Sequence, residues 1–196
     1  MKPEAITAAR VRLDRGLVAV GRLEQMGFKL ADLESAWWTF LLAASGVYAK
    51  LEQGSKGHGK SEAWYGRLTH ERRTDPLLSY VHHARNAEEH GLQGSAAQEG
   101  AHIVVHSKKT RVVRDGDGRV VHVIHPANDP ELLKMEAVAP YLRLVRVKDA
   151  RYGDKFDPPT EHLGQPLSDC LPATVARAAL TYLADQIAKA EKLDPH

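Results

Sequence analysis

The chain has 196 residues, 43% apolar and 27% charged, so it is long enough to bury a hydrophobic core and too apolar to expect disorder. Its formal net charge of +2 is too small to announce a nucleic-acid partner by itself, and its single cysteine excludes an internal disulfide. The first residues lack the apolar stretch of a signal peptide, and the longest apolar run, around Ala36 to Ala44, is far short of the ~20 residues of a membrane span. The expectation is a cytoplasmic protein without a membrane partner.

Residues 4 to 26 read as a helix: Ile6, Val11, Leu13, Leu17, Val20 and Leu23 are interleaved with Arg and Glu, and Gly27 can end it. The next helix is the clearest element. Leu33, Trp37, Phe40, Leu41, Ala44, Val47, Tyr48 and Leu51 recur at three- and four-residue steps, which puts them on one stripe of a 3.6-residue helix, and Asp32 can cap its start. Aromatics in such a stripe read as core, and the breadth of the stripe also suggests a homodimer through the helical part. Gln53 to Ser61 reads as a glycine-rich loop and Glu62 to Arg73 as a short helix. Thr74-Asp75-Pro76 restarts the chain, with Asp75 as N-cap and Pro76 at the first helical position. Gly91 and Gly94 stop that helix.

After Gly100 the pattern changes. Ala101 to His106, Arg111 to Arg114, Arg119 to His125 and Tyr141 to Lys148 are short and rich in Val, Ile and Leu, and Asp115-Gly116-Asp117-Gly118 is a hairpin turn signal. They predict a three- or four-stranded antiparallel element, with a short helix within 126 to 139. Residues 149 to 172 read as loop. Cys170, with no activating His or Lys pattern around it, reads there as a small packing residue. Ala173 to Leu193 predicts a last helix whose apolar stripe must return to the N-terminal helices to be buried. The fold expected is α+β: a helical bundle over 1–98, an antiparallel β insertion over 99–150, and a loop and C-terminal helix over 151–196.

Gly54-Ser55-Lys56-Gly57-His58-Gly59-Lys60-Ser61 matches the phosphate-loop pattern G-x-x-x-x-G-K-S. That pattern works at the end of a buried strand, whereas a helix precedes Gly54 here. A connector between helices is the expected role. A nucleotide-binding protein using this loop, with Lys56, His58 and Lys60 on phosphate, is the reading from another class.

Arg85-Asn86-Ala87-Glu88-Glu89-His90 lies near the end of the helix that starts at Asp75, and it has the form R-N-x-x-x-H. On this motif and its helical setting the chain resembles the HEPN superfamily (higher eukaryotes and prokaryotes nucleotide-binding domain), helical bundles of which many are metal-independent endoribonucleases that build their site by dimerisation. The resemblance covers about the first 95 residues and the last helix. It implies an endoribonuclease of toxin or defence type, cleaving single-stranded RNA with Arg85, Asn86 and His90, without cofactor or metal, as a homodimer, with an antitoxin protein as a further partner. It equally admits a non-catalytic HEPN-like module that binds RNA, nucleotide or protein.

The chemistry suits these residues. A histidine titrates near neutral pH and can move a proton at the 2′-OH or the leaving oxygen. A guanidinium is a planar, permanent cation matched to phosphate oxygens. Asn86 and His90 are i,i+4 neighbours, while Arg85 lies further round the helix, so one copy makes a loose site and two facing copies a complete one. The structural alternative is that Arg85 pairs with Glu88 or Glu89 while His90 caps the helix C-terminus. His82, Asn86 and His90 share a face with His83 alongside, but a third and fourth metal ligand are lacking. Lys108, Lys109, Arg111 and Arg114, with Arg119, Arg143, Arg146 and Lys148, make the β element basic, which suits either an RNA backbone or, more commonly, a solvated sheet face.

Overall fold

The computed structural model describes residues 1–25, 29–90, 94–107, 111–114, 120–124, 133–148 and 153–193; at 90, 105–107, 111–114, 120–124 and 133–135 it describes the backbone alone. Apolar periodicity produces five helices among the described residues: α1 (Pro3–Leu23), α2 (Leu30–Ser55), α3 (Gly59–Thr74), α4 (Pro76–His90) and α5 (Pro172–Glu191). The strands are β1 (Ala96–Glu99), β2 (His102–Ser107), β3 (Arg111–Arg114), β4 (Val120–Ile124), β5 (Leu133–Val138), β6 (Tyr141–Leu144), β7 (Val147–Lys148), β8 (Lys155–Phe156), β9 (Glu161–His162) and β10 (Gln165–Pro166). The fold is mixed α+β, in two units: Met1–Gln98 with Leu142–His196, and Glu99–Tyr141.

In the first unit α2 is central and packs against α1, α3, α4 and α5. Its aromatic stripe is core, as the periodicity predicts: Trp37, Phe40, Leu41, Val47 and Leu51 are at most 1% exposed. Each fully buried side chain of this size stabilises the fold by about 1.5–3 kcal/mol. The stripe is packed inside the helical unit. α5 does return to the N-terminal helices, burying Val175, Leu180, Leu183 and Ile187. Exposed ion pairs of Arg10 with Glu191 and of Arg177 with Glu24 run alongside.

Asp75 closes α3 and opens α4 as the sequence predicts, its Oδ1 accepting the Leu78 N–H at 2.9 Å. It also holds the β9–β10 hairpin. Leu163 N–H donates to Oδ2 at 2.6 Å, and His162 Nδ1 lies 3.0 Å from Oδ1, an arrangement that requires the proton on that nitrogen. The two hairpin residues, Leu163 and Gly164, both have positive φ, 49° and 74°. That geometry suits the strand twist but is strained for leucine.

Several expectations are corrected. Asp32 sits in the first turn of α2, and Lys29 occupies the cap position. α2 runs through Gly54 and Ser55, and α3 begins at Gly59, so the predicted loop shrinks to 56–58. The phosphate-loop letters therefore span a helix end, a turn and a helix start. Two glycines of this segment have packing or conformational reasons. Gly57 turns the chain at φ 88°. A methyl group on Gly54 would overlap the Cβ of Ala5 and come within 2.8 Å of Met1 Sδ. Gly54→Ala is accordingly expected to lower stability by about 1–2 kcal/mol in urea unfolding, a net of overpacking against better helix propensity; unchanged stability would refute the close approach of α1 to Gly54.

Leu142, Leu144 and Val147 are buried in the helical unit's core, so the β insertion ends at Tyr141 rather than at 150. Cys170 is exposed, so it is not the packing residue expected. The span 149–172 contains β8, which pairs with β7, and the β9–β10 hairpin.

Among the described residues the second unit holds two antiparallel strand pairs instead of a three- or four-stranded sheet. β2 pairs with β5 from His102↔Val138 to Ser107↔Leu133, and β3 pairs with β4 from Arg111↔Ile124, with a register shift between Val113 and Arg114. The β3–β4 pair is thus nested in the loop that β2–β5 closes. Residues 133–138 are strand, not helix: Leu-Lys-Met-Glu-Ala-Val favours helix locally, but ladder pairing with β2 overrides that preference. The rest of the helix expected within 126–139 up to 132, and the turn at 115–118, lie outside the described residues. No helix of the described residues is long and apolar enough to cross a membrane.

Candidate nucleic-acid interface

α4 carries the Arg-Asn-x-x-x-His motif, and its side chains divide between two jobs. Glu88 faces inward. Its Oε1 accepts the Ser95 N–H at 2.6 Å and the Ser95 hydroxyl at 2.7 Å, and the Trp37 indole N–H donates to the same hydroxyl oxygen at 2.8 Å. Tyr80 reinforces this corner, its hydroxyl lying 3.0 Å from the Ser95 carbonyl and 2.8 Å from that of Val145; burial pushes the phenol's pKa well up, so it stays a donor. Arg85 faces the other way, about three-quarters buried, and forms an i,i+4 ion pair with Glu89. Its Nη1 also reaches Asn86 Oδ1 at 3.3 Å, and Asn86 Nδ2 lies 3.5 Å from His82 Nε2.

The predicted trio is therefore only partly assembled. Arg85 and Asn86 are joined, His90 follows one turn on at the end of α4 with only its backbone described, and Glu89 holds the guanidinium. Of the two carboxylates weighed for Arg85, Glu89 takes it because Glu88 is committed to Ser95. His83 stacks on Phe156 at 3.6 Å between ring centres. No group of three His, Cys, Asp or Glu side chains among the described residues could hold a metal ion.

The residues expected to bind RNA on the β element cannot be placed in a site. Lys108 and Lys109 lie outside the described residues, and Arg111 and Arg114 lie on β3 with backbone only. Arg146, also counted as basic surface, is bound by Asp157 through Nε at 2.5 Å and Nη2 at 3.0 Å.

Sequence reasoning missed a second basic surface, which the helical unit builds from three helices. Arg12 and Arg15 of α1 and Lys50 of α2 line a groove of about 490 Å³ with Arg85 as its inner wall, and no carboxylate lines it. Its floor is made of small α2 side chains, Thr39, Ala43, Ser45, Gly46 and Ala49, at helical spacing. Gly46 matters most. A Cβ there would stand 3.2 Å from Arg12 Cδ and 3.3 Å from Cγ, so the glycine lets Arg12 lie flat across α2. Among the described residues neither Arg12 nor Arg15 forms an ion pair. The signal in sequence was the i,i+3 spacing of Arg12 and Arg15, but nothing local says that Lys50 and Arg85 meet them.

Behind Arg85 lies a small cavity of about 20 Å³ at the meeting of α2, α3, α4 and α5. Tyr48, Arg72 and His82 share it with Arg85, and the Arg72 guanidinium sits 4.6 Å over the Tyr48 ring. Burial raises the Tyr48 pKa well above the ordinary phenol value, partly opposed by the Arg72 charge, so its hydroxyl is neutral.

No protein-family model, no curated protein and no solved structure matches this chain. The likeness to the HEPN superfamily therefore rests on Arg85, Asn86 and His90 and their helical setting.

Proposed function

We propose that the protein is a HEPN-like RNA-binding module that holds single-stranded RNA along the groove between α1 and α2. The observation that supports this reading is the groove itself, lined by Arg12, Arg15, Lys50 and Arg85 without a carboxylate. Such a row attracts a phosphate backbone and releases its counterions. The pairing of Arg85 with Glu89 favours binding over catalysis, because the guanidinium must leave Glu89 before it can serve a transition state.

Metal-independent cleavage is the second reading, and one observation favours it. Arg85 belongs to the groove wall, so a phosphate held there lies beside the helix that carries Asn86 and His90. In that reading Arg85 holds the phosphate and offsets charge, and His90 transfers the proton. The neighbouring 2′-OH attacks phosphorus, leaving a 2′,3′-cyclic phosphate. A homodimer that pairs two such helices, and an antitoxin partner that restrains them, belong to this reading.

One experiment tests both. A labelled single-stranded RNA is titrated with protein at several salt concentrations in EDTA, and the same samples are run on a gel. Binding is expected to weaken about tenfold in Arg12→Ala or Arg15→Ala, and the slope of log affinity against log salt to shrink by about 0.7 for each phosphate that is no longer neutralised. Lys60→Ala should change neither. Cleavage that survives EDTA, spares DNA and is abolished in Arg85→Ala and His90→Ala establishes the second reading; binding without cleavage leaves the first. If wild type and the arginine variants bind alike, or none binds, the groove is not an RNA site.

A further inference from the structure

The cavity behind Arg85 gathers three polar atoms without a hydrogen-bond partner, beside Ser45 and His82, the other polar side chains of its lining. Tyr48 is 6% exposed, and its hydroxyl is buried without a hydrogen-bond partner; so are the Nε–H groups of Arg72 and Arg85. All three residues line the same cavity, together with Leu41, Leu78 and Val81, and no carboxylate does. Arg85 has Glu89 at its Nη1, and Arg72 has the face of the Tyr48 ring, but neither interaction uses an Nε–H. Buried polar groups in folded proteins are almost always satisfied, so a cluster of unsatisfied donors points to a missing acceptor.

Size and charge decide which acceptor. A space of about 20 Å³ is enough for a water-sized or monatomic particle. A water molecule would bring two hydrogens of its own into a site already crowded with N–H and O–H groups. A monatomic anion accepts from every direction, donates nothing, and sits beside two guanidinium groups, Arg85 with Glu89 on its outer nitrogen and Arg72 with Glu71 and Asp75 near enough to act on Tyr48. The apolar part of the lining suits a weakly hydrated ion. We infer that this cavity is a binding site for one halide ion, held by Tyr48 Oη, Arg72 Nε and Arg85 Nε. The occupant grips Arg85 from behind while Glu89 holds its Nη1, so the loaded site fixes the guanidinium that forms the groove wall.

The test is thermal unfolding of the full chain in sodium chloride, sodium bromide and sodium gluconate at equal ionic strength and pH. Gluconate is too large for the cavity. Wild type is expected to melt about 2–4 °C higher in either halide than in gluconate. Tyr48→Phe, which removes only the hydroxyl, and Arg72→Met should each lose most of that difference. Crystals soaked in bromide should show an anomalous peak between Tyr48 and Arg72. Arg12→Ala, which weakens RNA binding if the groove reading holds, should keep the halide difference intact, so the two inferences fail separately. Equal melting in the three salts, the same halide difference in Tyr48→Phe, or a water without anomalous signal in the cavity would each overturn the assignment.

Discussion

Asp75→Ala is expected to lower stability by about 3–5 kcal/mol, the largest effect of any single polar substitution in the helical unit. Asp75 is 6% exposed and accepts at both oxygens, from Leu78, from Leu163 and from His162. Alanine removes the cap of α4 and takes the acceptor from the buried Leu78 N–H and from the part-buried Leu163 N–H and His162 imidazole. It also releases the hairpin whose Leu163 adopts a positive φ, a conformation that costs about 1–2 kcal/mol by itself. Urea unfolding measures the loss as a fall in midpoint at constant slope. Asp75→Asn should lose roughly half as much, because one oxygen still accepts. A loss below about 1 kcal/mol for alanine would mean that Asp75 does not anchor the hairpin.

Glu88→Ala should come next, at about 2–4 kcal/mol, because Ser95 is fully buried and both its N–H and its hydroxyl donate to that one carboxylate. The neighbouring Glu89→Gln should cost less than about 1 kcal/mol, since Glu89 is exposed. It should instead raise RNA affinity several-fold by freeing Arg85. The contrast separates two adjacent glutamates inside one motif: one supports the fold, the other restrains the site. Equal stability losses for Glu88→Ala and Glu89→Gln would contradict the division of the helix into an inner and an outer face.

What was legible in the sequence was local. The α2 stripe from Trp37 to Leu51, the Asp75-Pro76 restart and the β3–β4 pairing each carry their cause in a few consecutive residues. The ion pair of Arg85 with Glu89 was legible too, as one of two i,i+4 or i,i+3 choices; what decided it was Ser95, seven residues from Glu88 and unremarkable in the sequence. β5 was misread because Leu133 to Val138 favours helix, and only β2 makes it strand. The groove was invisible because Arg12, Lys50 and Arg85 sit on three helices. The cavity was invisible because nothing in a sequence says that Tyr48 and Arg72 will be buried together.

The closing of α5 over α1 has a consequence for how the chain reaches this state. Arg177 of α5 and Glu24, the residue that caps the end of α1, are separated by 153 residues. At a synthesis rate of about 5–20 residues per second, α1 waits about 8–30 seconds on the ribosome before its partner exists. During that interval the apolar faces of α1 and α2 that α5 will cover are open to other nascent chains and to chaperones. Folding of this unit is therefore committed late, and truncations that spare every residue of the groove but remove α5 should yield aggregates.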